Sequence, residues 1–257
     1  MILDEVKEEY VRDLLAKGER TDGRGLYDYR PIAVEKNVIP NAEGSAMAHI
    51  GGSKVLAGLK FDLLEPFKDR PDEGVVMVNA EFSPIAHPNF EAGPPRPESI
   101  ELARVVDRGI RSAETVDVKK LAFEKGEKVL GIFIDLYILD HSGNLIDAAA
   151  LASMAALRST RVPKVEDGVI LREEIVGKLE LSKDVVATSV EKIGGKLVVD
   201  ATDEEEVASE GRLSIATCGP DTMCAGQKSG RAGFSKDEIM QAVDLAFEKR
   251  NELVKYL

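Results

Sequence analysis

The sequence predicts an α+β domain with mixed sheets and packed helices, and three stretches carry that prediction. From Ile32 to about Leu63, short apolar runs are broken by Gly and polar residues, the mark of antiparallel strands, with Gly51-Gly52 as a hairpin turn. KVLGIFIDLYILD (128–140) is a long β-rich run closed by the turn HSGN, and an Ala-rich helix follows it, whose small side chains permit close packing. Between these two stretches, PESIELARVVDRGIRSAET (Pro97 to Thr115) reads as an amphipathic helix. Pro97 stands in its first turn, Glu98 and Glu101 come early, and Ile100, Ala103, Val106 and Ile110 form its apolar side.

The remaining elements follow in order. Residues 2 to 17 are expected as a helix with Ile2, Val6, Tyr10 and Leu14 on one side, followed by the polar turn GERTDGRG at 18–25. A loop at 64–74 holds two prolines, VVMVNAEFSP continues as a strand, and a second loop with four prolines leads into the central helix. After the Ala-rich helix come strands around 168–172, 184–192, 195–200 and 213–217, with an acidic segment before the last. A C-terminal helix begins at Ser235, where Glu238 completes a capping box, and runs to about Tyr256. No low-complexity linker divides the 257 residues, so the chain is read as one domain over 1–257. Both halves, about 20–160 and 161–257, share an outline of strands then a helix, which allows a pseudo-duplicated fold.

Composition narrows the function. Apolar residues at 44% and charged residues at 31% suit a globular protein with a sizeable core rather than a disordered chain. The net charge of −12 repels nucleic acid and anionic membrane, so any nucleic-acid contact must come from a local basic patch or a surface completed by a partner. Cys218 and Cys224 are spaced neither as a redox pair nor as a zinc knuckle, and His49, His87 and His141 are too scattered for a ligand cluster. No metal or cofactor site is expected. A charged start without an apolar leader segment, and the lack of any membrane-length apolar run, read as a cytoplasmic protein.

The central helix carries the sharpest local signal. Arg104, Arg108 and Arg111 fall on one stripe, where planar guanidinium forks suit phosphate. Glu101 precedes Arg104 by three residues and Asp107 precedes Arg111 by four, so a solvated face of weak ion pairs explains the spacing too. Arg111 is expected to be structural, through Asp107. The run DEEEVASE likewise reads as a solvated acidic loop or helix start, and Asp22 in RTDGR as the brace of a turn between two arginines.

Taken together, RTDGR (20–24), GSA (44–46), the arginine-bearing helix, LDHSGN before the Ala-rich helix, and VVD with its acidic segment (198–210) resemble the RNase PH family across almost the whole chain. Within it, ELARVVDR, EIVGKLELS and QKSG are most similar to the non-catalytic second RNase PH-like subunit of the archaeal exosome core. The resemblance implies the RNase PH-like fold, of ribosomal protein S5 domain 2-like type. It also implies membership of a complex that degrades RNA from its 3′ end, inorganic phosphate attacking the terminal phosphodiester. Such chemistry needs a cationic seat for phosphate and carboxylates that bind metal or handle protons. In active members an arginine in a Gly-Gly-Thr-Arg turn helps build the seat; here the turn reads Ser142-Gly143-Asn144-Leu145. Two aspartates six positions apart supply the carboxylates; here Glu206 and Arg212 stand there. The resemblance therefore implies no catalytic residue in this chain.

It further implies a hexameric ring of three heterodimers with a catalytic RNase PH-like partner, RNA-binding cap subunits, and single-stranded RNA gripped beside the partner's active site by Arg104 and Arg108. Arg96 is a further candidate for the RNA path, and Lys68 and Arg70 for a central channel. An obligate heteromer is expected to expose apolar surface when alone. Two other readings stand beside this one: an exoribonuclease active by itself, with Asp200, Asp203 and Glu205 in a metal role, and a purely structural ring member without RNA contact.

Overall fold

A computed structural model of the chain describes residues 2–124 and 127–257. The chain runs through α1 (Ile2–Ala16), β1 (Ile32–Lys36), β2 (Gly44–Ile50), β3 (Ser53–Leu64), β4 (Val75–Phe82), α2 (Pro97–Ser112), β5 (Ala122–Glu124), β6 (Lys128–Asp140) and α3 (Leu145–Ser159). Then follow β7 (Arg161–Glu166), β8 (Val169–Lys178), β9 (Val186–Ile193), β10 (Lys196–Val199), α4 (Asp203–Val207), β11 (Gly211–Thr217), β12 (Met223–Gly230) and α5 (Lys236–Leu253).

The first sheet has the order β1-β2-β3-β6-β4, with β5 also on β6. It is mixed: β4 lies parallel to β6, while the other pairs are antiparallel. The parallel pair follows from the crossover through α2, since a hairpin cannot join two parallel strands. The second sheet, β10-β9-β11-β12, is antiparallel throughout, and β7 and β8 form a separate hairpin.

The Ala-rich helix α3 lies at the centre, touching β2 and β3 of the first sheet and β9 of the second. Ala148, Ala149, Ala152, Ala155 and Ala156 are fully buried, and small side chains are what let one helix serve both sheets at close range. In α2 the buried side is Ser99, Leu102, Ala103, Val106, Gly109 and Ile110. Ile100, expected on that side, is exposed, because Leu102 and Val106 set the rotation of the helix against the core. The capping box of Ser235 and Glu238 is formed at α5, worth about 1 kcal/mol.

The N-terminal helix corrects the expected face. Val11 and Leu15 are buried against Ile193, Val198 and Ala208, whereas Val6 and Tyr10 are exposed. Two apolar stripes of four-residue spacing coexist on α1, and periodicity cannot say which one the second sheet covers. Ile2, in the same expected stripe, lies among the residues whose side chains are outside the description. Strands β5, β7 and β12 were not expected, and β8 runs on to Lys178 rather than stopping near 172. β8 and β12 are largely solvent-facing hairpin strands, so neither carries the apolar signal of a core strand. Among the described residues, no helix is long and apolar enough to cross a membrane.

Candidate nucleic-acid interface

The turn between β6 and α3 sits against the segment after β10, and the RTDGR motif clamps that segment. Arg20, almost fully buried, donates from Nε and Nη2 to the two carboxylate oxygens of Glu205, at 2.9 and 2.6 Å. It also donates to the carbonyls of Val199 (2.9 Å) and Asp200 (2.7 Å). Arg24 reaches Asp200 at 2.9 Å and is held by Asp22 at 2.6 Å, so Asp22 braces a turn between two arginines as expected. The acidic segment does begin a helix, capped by Thr202, but it is not simply solvated: Glu205 is 1% exposed. The correction has a plain cause, since a buried Arg20 requires a buried counter-charge.

Asp200 is the hub. Its carboxylate accepts from Arg24, from the backbone N–H, Nε and Nη2 of Arg30, and from Nδ2 of Asn144, all between 2.7 and 2.9 Å. Arg30 continues to the carbonyls of Ser142 and Gly143, and Asn144 donates to Asp147 at 3.0 Å. Gly143 has φ +89°, and a Cβ there would lie 2.3 Å from the carbonyl oxygen of Ala201, so this turn admits only glycine. Burial lifts the Asp147 carboxyl to about 6, despite hydrogen bonds from Tyr29, Ser189 and Asn144 that favour the anion.

These contacts bring Leu145, Glu206 and Arg212 to the wall of one cleft of about 190 Å³, together with Glu98, Glu101 and His141. Glu206 accepts from the backbone N–H of Asn144 at 2.8 Å, and burial raises its carboxyl above the usual range. Arg212 lies 3.6 Å from Glu101 and 3.8 Å from Glu191, its cross-strand neighbour on β9. The cleft thus holds three lining carboxylates, one already engaged arginine and an apolar residue in the turn. Such a wall repels phosphate. It does not suit a divalent cation either, because the position opposite Glu206 carries a guanidinium. Among the described residues, no group of three or more His, Cys, Asp or Glu side chains is placed to hold a metal ion. His87 and His141 instead pack with the Phe90 ring, and His49 lies on β2.

Glu191, buried on β9 opposite Arg212, carries a pH signature. Burial pushes its carboxyl from 4.5 to about 7, against the pull of Arg212. A carboxyl raised in the folded state stabilises the fold at low pH. That contribution declines from about pH 4.5 to 7 and is gone above. Thermal unfolding of the native chain should therefore show stability falling from pH 5 to 8. Glu191→Gln should flatten that profile, relieving roughly 3 kcal/mol or less at pH 8; an unchanged profile would locate the proton elsewhere.

Along α2, the sequence's two readings of the arginine stripe separate. Glu101 faces Arg212 rather than Arg104. Arg111 binds Asp107 at 2.7 Å and the carbonyl of Val76 at 2.8 Å, the structural role expected of it. Arg104 and Arg108 are exposed and, among the described residues, carry no ion pair or side-chain hydrogen bond. Arg108 also walls a narrow apolar slot beside Gly109, Val185 and Gln227. Arg96, just before α2, is exposed and paired with Glu91. Lys68 and Arg70 lie exposed in the 64–74 loop, Arg70 near Asp69 at 3.5 Å. The clamps on the 200–206 segment, by contrast, were missed: RTDGR was recognised as a signature, but its long-range partners have no local pattern.

A two-sheet α+β fold around an Ala-rich helix, with a Gly-turn pressed against an acidic segment, defines the class of protein to which the comparisons point. Residues 28–163 match the 3′ exoribonuclease family, domain 1, and residues 185–249 match domain 2 of the same family; the chain belongs to this RNase PH family. Relatives include the exosome complex component Rrp42 of Methanosarcina acetivorans, 44% identical over 252 residues that cover 98% of this chain and 93% of that protein. The component of the same name from Pyrococcus furiosus is 44% identical over 256 residues, covering 98% and 92%. Among solved structures, a chain of the Archaeoglobus fulgidus exosome with RNA bound to the active site superposes with a TM-score of 0.93 at 41% identity, covering 99% of both chains. A chain of an archaeal exosome core gives 0.88 at 39% identity, covering 99% and 98%.

Proposed function

We propose that this chain is a non-catalytic, structural and RNA-binding subunit of an exosome core, a 3′→5′ phosphorolytic exoribonuclease complex. It pairs with a catalytic RNase PH-like subunit in a hexameric ring, beneath RNA-binding cap subunits, in the cytoplasm. Arg104 and Arg108, with a smaller share from Arg96, hold the RNA backbone beside the partner's active site, which positions a strand without reading its bases. The observation that carries the reading is the pair of cationic side chains on α2 that, among the described residues, have no counter-charge, next to a cleft whose own walls repel phosphate. Relatives named exosome component Rrp42 support the assembly, as does the fold shared with an exosome chain solved with RNA. Exposed Val6, Tyr10, Phe67, Ile85 and Val176 suit a subunit that covers apolar surface in a ring.

The reading as an enzyme active alone loses two of its three carboxylates. Asp200 is committed to Arg24 and Arg30, and Glu205 to Arg20. Phosphate-dependent release of nucleoside diphosphates from single-stranded RNA tests the choice. The chain alone should release none, and its mixture with a catalytic RNase PH-like partner should be strongly active. Robust release by the chain alone would mean that Leu145 and Arg212 do not disable the site.

A further inference from the structure

We propose a phosphate-binding cleft on this chain, apart from the arginines of α2, formed where β8 ends and the segment 179–185 passes the last turn of α3. Arg158, Lys178 and Lys183 line an open cleft of about 240 Å³, and Asp184 is the one carboxylate among the lining residues. All three cations are exposed, whereas Asp184 is half-buried. Arg158 Nε lies 3.1 Å from Asp184, and Arg250 holds the same residue by its carbonyl at 3.0 Å. Neither Lys178 nor Lys183 has an ion pair or side-chain hydrogen bond among the described residues. The other nearby acid, Glu180, is taken by Lys120 at 2.6 Å.

A basic residue in the last turn of a helix answers the helix dipole, and lone surface lysines are ordinarily solvated. This site differs in being concave and in keeping an excess of two positive charges on a protein whose net charge is −12. Three like charges gathered around one carboxylate raise the local positive potential, so the cleft attracts anions that the rest of the surface repels. Two ammonium groups without fixed forks suit a phosphoryl group approached at varied angles. Val185 follows Asp184 and walls the slot that Arg108 lines, which puts the cleft near the C-terminal half of α2. The phosphate comes from the backbone of a bound RNA or from free inorganic phosphate. The RNA source rests on the proposed RNA-binding function; the anion site itself does not.

Amine acylation read by mass spectrometry on the full-length chain, alone and assembled with its catalytic partner, separates these sources. Lys178 and Lys183 should be protected at least threefold relative to exposed Lys196 when an oligoadenylate or millimolar inorganic phosphate is added. Protection by oligoadenylate alone assigns the cleft to RNA backbone, and protection by inorganic phosphate assigns it to the free anion. In the RNA case, Lys178→Gln with Lys183→Gln should lower the slope of log affinity against log salt by about 1.4, from about 0.7 per lost single-strand contact. No protection by either probe overturns the cleft. If RNA binding then still depends on Arg104 and Arg108, the proposed function stands without it.

Discussion

Reversing both free arginines of α2, Arg104→Glu with Arg108→Glu, should cut the affinity of the assembled ring for single-stranded RNA by more than tenfold at moderate salt. Two effects add. Each lost phosphate contact removes about 0.7 from the slope of log affinity against log salt, and two new carboxylates then repel the same backbone. Both side chains are exposed and, among the described residues, unpaired, so thermal stability should move by no more than about 0.5 kcal/mol. The loss should fall mainly on KM, because in the proposed role these groups would hold the strand rather than touch the reacting phosphate. Arg111→Glu supplies the contrast. It breaks contacts to Asp107 and the Val76 carbonyl, so its cost should appear in stability instead. Degradation and binding that are unchanged in the double variant would leave the chain a scaffold without an RNA grip.

What was legible in the sequence was whatever has a local pattern. The arginine stripe, the Gly51-Gly52 hairpin, the Ala-rich helix and the Ser235 capping box each depend on residues a few positions apart, and each stands in the structure where the spacing puts it. Leu145 stands where the turn meets α3, at a position that only the family resemblance marks, since no spacing or periodicity singles it out. Other features depend on partners far along the chain. Nothing near Glu205 announces that Arg20 will bury it from 185 residues away. The two stripes of α1 are equivalent until a second sheet covers Val11 and Leu15. Glu101 and Arg104 have the spacing of an ion pair, yet Arg212 arrives from β11 and takes the carboxylate. That competition leaves Arg104 unpaired among the described residues, a consequence with no local signal in the sequence.

Removing the hub of the turn, Asp200→Ala, should be the most destabilising single change in the region. Arg30 and Arg24 would keep their charges with no carboxylate between them, and Asn144 would lose an acceptor. Breaking one side of a buried ion pair costs about 3–5 kcal/mol, a large share of the roughly 5–15 kcal/mol that holds a domain together. At roughly 2–4 °C per kcal/mol for a chain of this size, the melting temperature should fall by roughly 6–20 °C. Asp200 also has φ +52°, a left-handed conformation that asparagine tolerates better than alanine, so Asp200→Asn should lose less. The sign with pH follows from the carboxyl itself. Burial pushes it up, but the hydrogen bonds and charge of Arg30 outweigh burial and hold it below its usual value. Its contribution is then complete above about pH 4 and is lost as acid carries the pH through the lowered folded value. The gap between native and Asp200→Ala melting temperatures should accordingly be full at pH 7 and shrink under acid. If the gap instead stays constant to pH 3, the carboxylate charge is not what holds the turn. The cost would then lie in the left-handed backbone and the packing around it.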